Sequence, residues 1–215
     1  MMKLYIMSAL ILFSSIVSSA VKAAEFFQLP GTKTLYMMGT ITREDYQRFR
    51  SFQVSQNIDT LGLAGPGGSL EVALKIGELV NQANISTLTI DNRDCASACA
   101  LLFMAGKRRQ MGNGARLGVH LPFINFEESG ITASSYCSGF KPPSSIAITR
   151  MLNEASKFCL TGTYQMAFED ALNLLNLIEK SEINQVVFRH MISTPPSEMK
   201  WYDKEESAKF NLSNN

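Results

Sequence analysis

Three short segments carry residue types that can move an acyl group. Asp94-Cys95-Ala96-Ser97-Ala98-Cys99 sets one serine among small residues where an apolar helical run begins. A hydroxyl there stands beside the free N–H groups and positive end of a helix, which favour developing negative charge. Capping that helix is the more ordinary task of serine at such a place. Gly65-Pro66-Gly67-Gly68-Ser69 joins an apolar run to an amphipathic one, and such a turn leaves backbone N–H groups open to an anion or oxyanion. It is no Walker loop, because no Gly-Lys-Ser/Thr follows; its ordinary use is a tight strand-to-helix turn. Gly118-Val119-His120-Leu121-Pro122 ends a short strand at an irregular segment, where an imidazole can face a cleft as a general base. The other histidine, His190, lies in a helical run and reads as structural.

The elements that must position these groups follow from apolar periodicity. Thr34 to Ile41 reads as a strand, and Thr42, with Asp45 three residues on, as the N-cap of a helix to about Gln53. Ile58 to Ala64 is a short apolar run bounded by Asn57 and Gly65, hence a buried strand. After the glycine turn, Ser69 caps an amphipathic helix with Leu70, Val72, Ala73, Ile76, Leu79 and Val80 on one side. Ile85 to Ile90 is a third strand, and Ala98 to Ala105, almost wholly apolar, a buried helix. Arg108 to Met111 and Leu117 to His120 add two short strands. The pattern dissolves between Pro122 and Ser145 into a long loop of Gly, Ser, Pro and aromatics, the kind of segment that tends to be either a functional lid or flexible. Helices are expected over Ile146 to Phe158, Tyr164 to about Glu179 and Ile183 to Ile192, then a strand at Lys200 to Tyr202 and a helix from Lys204 to Phe210. Strand and helix alternating on short connections imply right-handed crossovers and a mainly parallel sheet: α/β, in one domain.

Residues 1–23 read as a signal peptide rather than fold, leaving 24–215 as the mature domain. Lys3 precedes an apolar run from Leu4 to Val17, which closes on Ala20-Val21-Lys22-Ala23-Ala24. The cut is expected after Ala23, with a cut after Ala24 as the alternative. The run is shorter than the ~20 residues a spanning helix needs, so membrane attachment is expected only through an uncleaved leader. A periplasmic or secreted location follows. Losing Lys3 and Lys22 leaves 18 basic against 19 acidic residues. That balance argues against nucleic acid and against docking on anionic lipid.

Export would place Cys95, Cys99, Cys137 and Cys159 in an oxidising compartment. Four ligands at zinc spacing are missing, so no metal and no cofactor is expected. Four cysteines allow three pairings into two disulfides. Two helical cysteines four apart seldom bridge, so Cys95 and Cys99 are each expected to pair with Cys137 or Cys159. Loops of that size would contribute roughly 3–4 kcal/mol.

The order of a Gly-Gly turn, a serine nine residues before Gly106 and then a histidine resembles the Clp protease proteolytic subunit and its crotonase-like superfamily over about residues 35–122. A weaker echo at Glu205 to Leu212 is similar to that family's closing helix, and the Cys-x-Ser-x-Cys context looks like an exported bacterial branch. The resemblance implies a spiral of βαβ units with a mainly parallel sheet and a divergent C-terminal helical region. It implies Ser97 as nucleophile, His120 as base, and the N–H groups of Gly68 and Ala98 as oxyanion hole. Met199 falls where the family keeps its aspartate, with Glu198 and Asp203 as nearby substitutes, Glu198 first. The resemblance further implies a homo-oligomer acting on peptide or protein substrates. No ATPase partner is expected outside the cytoplasm, and coenzyme A is not an expected ligand there. The competing reading is a non-catalytic binding or assembly module that keeps the fold alone; esterase or thioesterase chemistry is a third.

Overall fold

The computed structural model describes residues 23–122 and 169–214. The expected leader, the loop after Pro122, the helix over 146–158, Cys137 and Cys159 fall outside these residues. Within them the chain is mixed α/β, with eight strands, mostly parallel, and six helices.

The sheet is built outward from β3 (Thr60–Gly68), whose apolar first half is almost wholly buried. On one side β3 runs parallel to β2 (Thr34–Ile41), and β1 (Glu25–Gln28) lies antiparallel at the edge beyond it. Sequence reasoning gave no strand before Thr34, because β1 has only four residues alternating between exposed and half-buried. On its other side β3 forks. Thr60 to Leu63 pair with β4 (Ser86–Thr89), whereas Gly65 pairs with β5 (Asp94–Ala96). The glycine segment expected as a turn therefore continues the strand as far as Gly68. Beyond the fork β4 meets β6 (Arg109–Gln110), and β5 meets β7 (Arg116–Val119). An antiparallel β8 (Lys200–Tyr202) closes that side.

Helices fill the crossovers. α1 (Asp45–Gln56) begins two residues later than a Thr42 cap would require. Only one half of a capping box forms: Asp45 reaches back and accepts the Thr42 N–H at 2.7 Å, while the Thr42 hydroxyl donates to the same carboxylate at 3.1 Å. α2 (Leu70–Gln82) buries Val72, Ala73, Ile76, Gly77 and Val80, the face expected from its periodicity. α3 (Ala98–Met104) is buried at all seven positions, as a helix apolar on every side must be.

The C-terminal part holds α4 (residues 169–180), α5 (Val186–Ser193) and α6 (Lys204–Lys209). Arg109, 2% exposed, ties this part to the sheet. Its guanidinium donates to the carbonyls of Leu212, Gly106, Ser181 and Asn211 at 2.8–3.1 Å, and burial pushes its pKa down to about 10.

Candidate functional site

Three parallel strand ends converge. The registers Gly65↔Cys95 and Ala96↔Gly118 set the carboxyl ends of β3, β5 and β7 side by side. The residues just beyond them, Gly67-Gly68, Ser97 and His120, thereby share one edge of the sheet, where open α/β folds place their ligands.

Ser97 stands at the N-cap of α3, yet its hydroxyl makes no capping bond. The backbone there is φ 55°, ψ −127°, a conformation uncommon outside glycine that costs on the order of 1–3 kcal/mol. Two bonds hold it: the Ser97 N–H donates to Gly118 O at 2.8 Å, and Ser97 O accepts from Leu101 N–H at 3.2 Å. So turned, Ser97 Oγ lies 2.8 Å from His120 Nε2.

A disulfide between Cys95 and Cys99 closes over this turn, with the Cα atoms 5.2 Å apart. That corrects the expected pairing of each with Cys137 or Cys159. The expectation supposed both cysteines helical, but Cys95 belongs to β5 and only Cys99 to α3. The reversal at Ser97 folds the two Cα atoms back within bridging range, roughly 4.4–6.8 Å. Both cysteines are buried.

His120 is 8% exposed, and its Nδ1 lies 2.8 Å from the carbonyl oxygen of Leu121. A carbonyl can only accept, so Nδ1 carries the proton in this bond. In the neutral ring the Nε2 lone pair then faces the Ser97 hydroxyl, which donates. The C-terminal part steadies this segment: Leu121 N–H donates to Thr194 O at 2.8 Å, and Thr194 Oγ1 donates to His190 O at 2.6 Å. Sequence reasoning missed both the Leu121 carbonyl and Thr194, since main-chain groups leave no mark in residue type.

Of the acidic candidates, Glu198 is exposed, and the hydrogen bonds described at the His120 ring go to Leu121 O and Ser97 Oγ. Asp203 caps α6, accepting Glu206 N–H at 2.9 Å. Met199 packs its thioether against Gly118, where a Cβ would come within 2.8 Å of its sulfur. His190 Nδ1 lies 2.6 Å from the Tyr202 hydroxyl, whose pKa burial raises.

Of the two expected oxyanion donors, Ala98 follows Ser97 directly and Gly68 lies against Ile41 of β2. Ala98 N–H is the first of α3, among those a helix cannot satisfy internally. Ser69 N–H donates to Ile41 O of β2 at 2.8 Å. Gly68, at φ +129°, ends β3 paired with Ile41 of β2. Gly67, which the sequence marks only as one member of the Gly65-to-Ser69 turn, permits the approach of β3 to Ser97. With φ +103°, it sits where a Cβ would fall 2.7 Å from Ser97 Cβ and 2.9 Å from Ala98 N. A separate groove of about 590 Å3, lined by Ala23, Gly39, Thr40, Gly65 and Arg93 among others, includes neither Ser97 nor His120. Among the described residues no group of three or more His, Cys, Asp or Glu could hold a metal ion.

No family model matches the chain, and no curated protein matches it in sequence. Among solved structures it is similar to a serine-to-alanine mutant of 1510-N, a membrane-bound stomatin-specific protease, with a TM-score of 0.53. The match covers 83% of this chain and 75% of that one at 16% identity. The chain shares that protease's fold. At this identity the likeness extends to the fold alone; the chemistry rests on the site.

Proposed function

We propose that this protein is an exported, ATP-independent serine peptidase of the Clp-protease-like, crotonase-like type. The observation that carries the reading is the 2.8 Å contact between Ser97 Oγ and His120 Nε2, made by a hydroxyl that does not cap its own helix. Nucleophile and base within roughly 2.6–3.2 Å are what acyl transfer requires. Ser97 attacks the scissile carbonyl while His120 takes its proton at Nε2. The N–H groups of Gly68 and Ala98 receive the oxyanion, and His120 returns the proton to the leaving amine. Water then hydrolyses the acyl-enzyme by the same route.

The Leu121 carbonyl does part of what an orienting acid does, because it selects the Nδ1–H tautomer. In serine proteases the wrong tautomer costs about 10⁴ in rate. A carbonyl carries no full charge, so it stabilises the imidazolium less than a carboxylate would. Polypeptide as substrate and assembly into a homo-oligomer belong to the same reading, and it invokes no cofactor, metal or nucleic acid.

A fluorophosphonate probe on the exported protein tests this, beside Ser97→Ala and His120→Ala. Labelling of the wild type that both variants lose, with peptide mapping to Ser97, is the expected result. Labelling that persists in Ser97→Ala, or a folded wild type that takes no label, overturns the reading in favour of a binding module.

A further inference from the structure

Ala20-Val21-Lys22-Ala23-Ala24 offers two places to cut the leader, after Ala23 or after Ala24, and the fold treats them differently. Asp45 is fully buried at the start of α1. Its Oδ1 pairs with Arg48 Nη1 at 2.8 Å. Its Oδ2 accepts the Thr42 N–H at 2.7 Å and the Thr42 hydroxyl at 3.1 Å, and lies 3.4 Å from the backbone nitrogen of Ala24. The same Arg48 Nη1 donates to the Ala24 carbonyl at 2.5 Å. Ala24, 1% exposed, is thus gripped at both nitrogen and oxygen by α1.

An amide nitrogen 3.4 Å from a carboxylate oxygen makes a weak bond, beyond the usual 2.7–3.2 Å. A free α-amino nitrogen at the same place would bring a full charge and three donors. We propose that Ala24 is the mature N-terminus and that its α-ammonium pairs with Asp45, so that leader removal completes an Ala24–Asp45–Arg48 charge cluster absent from the precursor. A signal peptidase hydrolyses the Ala23–Ala24 amide, water supplying the second oxygen of the Ala23 carboxylate and two of the three ammonium protons, the third being the former amide proton. A cut one residue later would remove Ala24 and both of its contacts. In sequence the neighbouring charged side chains are Glu25, in β1, and Arg43 and Glu44, just before α1, and Arg93 and Asp94 line one groove with Ala23 and Glu25. The inference rests on the signal-peptide reading and stands apart from the chemistry at Ser97.

The full-length chain, expressed in a bacterial host and recovered after export, supplies the test. Intact mass is expected to match a chain beginning at Ala24; a start at Glu25 overturns the proposal, and a retained leader overturns the signal-peptide reading with it. The α-amine is then acylated with an N-hydroxysuccinimide ester and quantified by peptide mapping. Reaction at pH 7 is expected to be at least tenfold slower in the folded protein than in urea, and to recover in Asp45→Asn. Should that variant fail to fold, the pH profile of the wild type decides. Pairing with Asp45 predicts an apparent pKa above the ~7.7–8.0 of a free α-amine, whereas burial without a partner lowers it. An apparent value at or below the free one overturns the pair.

Discussion

Two serines stand at comparable places in this molecule and are used in opposite ways. Ser69 and Ser97 each follow a strand of the parallel sheet and head a helix rich in apolar residues. Ser69 has φ −63°, ψ 112°, and its hydroxyl accepts the Val72 N–H at 3.3 Å, an ordinary cap. Ser97 has φ 55°, and its hydroxyl turns away from its helix to His120. The Gly118 carbonyl that receives the Ser97 N–H and the disulfide across the turn hold that rotation in place. A serine at a helix start thus caps its helix or turns to a partner outside it according to the backbone rotation at one residue.

The comparison can be broken most severely at Ser97 itself. Ser97→Ala is expected to lower hydrolysis by about 10⁴-fold or more, since loss of a nucleophile removes the whole unit's contribution. Activity within tenfold of wild type would end the distinction between the two serines. Gly67→Ala should come next, because its Cβ would lie 2.7 Å from Ser97 Cβ at a positive φ. A displaced nucleophile costs on the order of 100-fold, read as a slower probe-labelling rate in a protein that still melts cooperatively.

Replacing Cys95 and Cys99 together by alanine tests what holds the rotation. The loop closed by this bridge is short, so the chain-entropy contribution is only about 2 kcal/mol. Labelling of Ser97 is expected to slow at temperatures where the protein remains folded; unchanged labelling would show that the Gly118 bond suffices. Ser69→Ala is the complementary case. It should cost about 1 kcal/mol in urea unfolding, as loss of a cap does, and leave the labelling rate untouched.

The smallest effect is expected at Asp94, one residue before Cys95. The hydrogen bond from Arg116, at 2.6 Å, holds the Asp94 carboxyl below its ordinary range. A carboxylate whose pKa is lowered on folding stabilises above its unfolded value and loses that contribution as the pH falls through the folded one. Asp94→Asn should therefore cost less than about 1 kcal/mol at neutral pH, as exposed pairs do. Denaturation curves of variant and wild type should converge in acid; a gap that stays constant with pH would mean that the pair contributes nothing electrostatic.

Where legibility in the sequence stopped is itself instructive. α2 and the buried α3 follow from apolar periodicity, because a helix must bury its stripe whatever it packs against. β5 was not legible: Asp94 to Ala96 has too few residues to show an alternation, and it becomes a strand only because β3 and β7 lie on either side. The glycine segment reads as a turn, since Gly and Pro usually punctuate. Here positive φ at Gly65, Gly67 and Gly68 instead lets the strand run on beside Ser97.

Residue types alone mark Ser97, His120 and the Gly65-to-Ser69 segment as the places where acyl chemistry could reside, and the alternation of strands and helices as α/β. Their assembly was decided in three dimensions. The serine meets a histidine 23 residues away only through the β5–β7 register, the imidazole is oriented by a main-chain carbonyl, and Cys95 finds Cys99 because the chain reverses between them. Side-chain chemistry is written locally in the chain. The distances and backbone rotations that put it to use arise from strand pairing between segments that the sequence keeps apart.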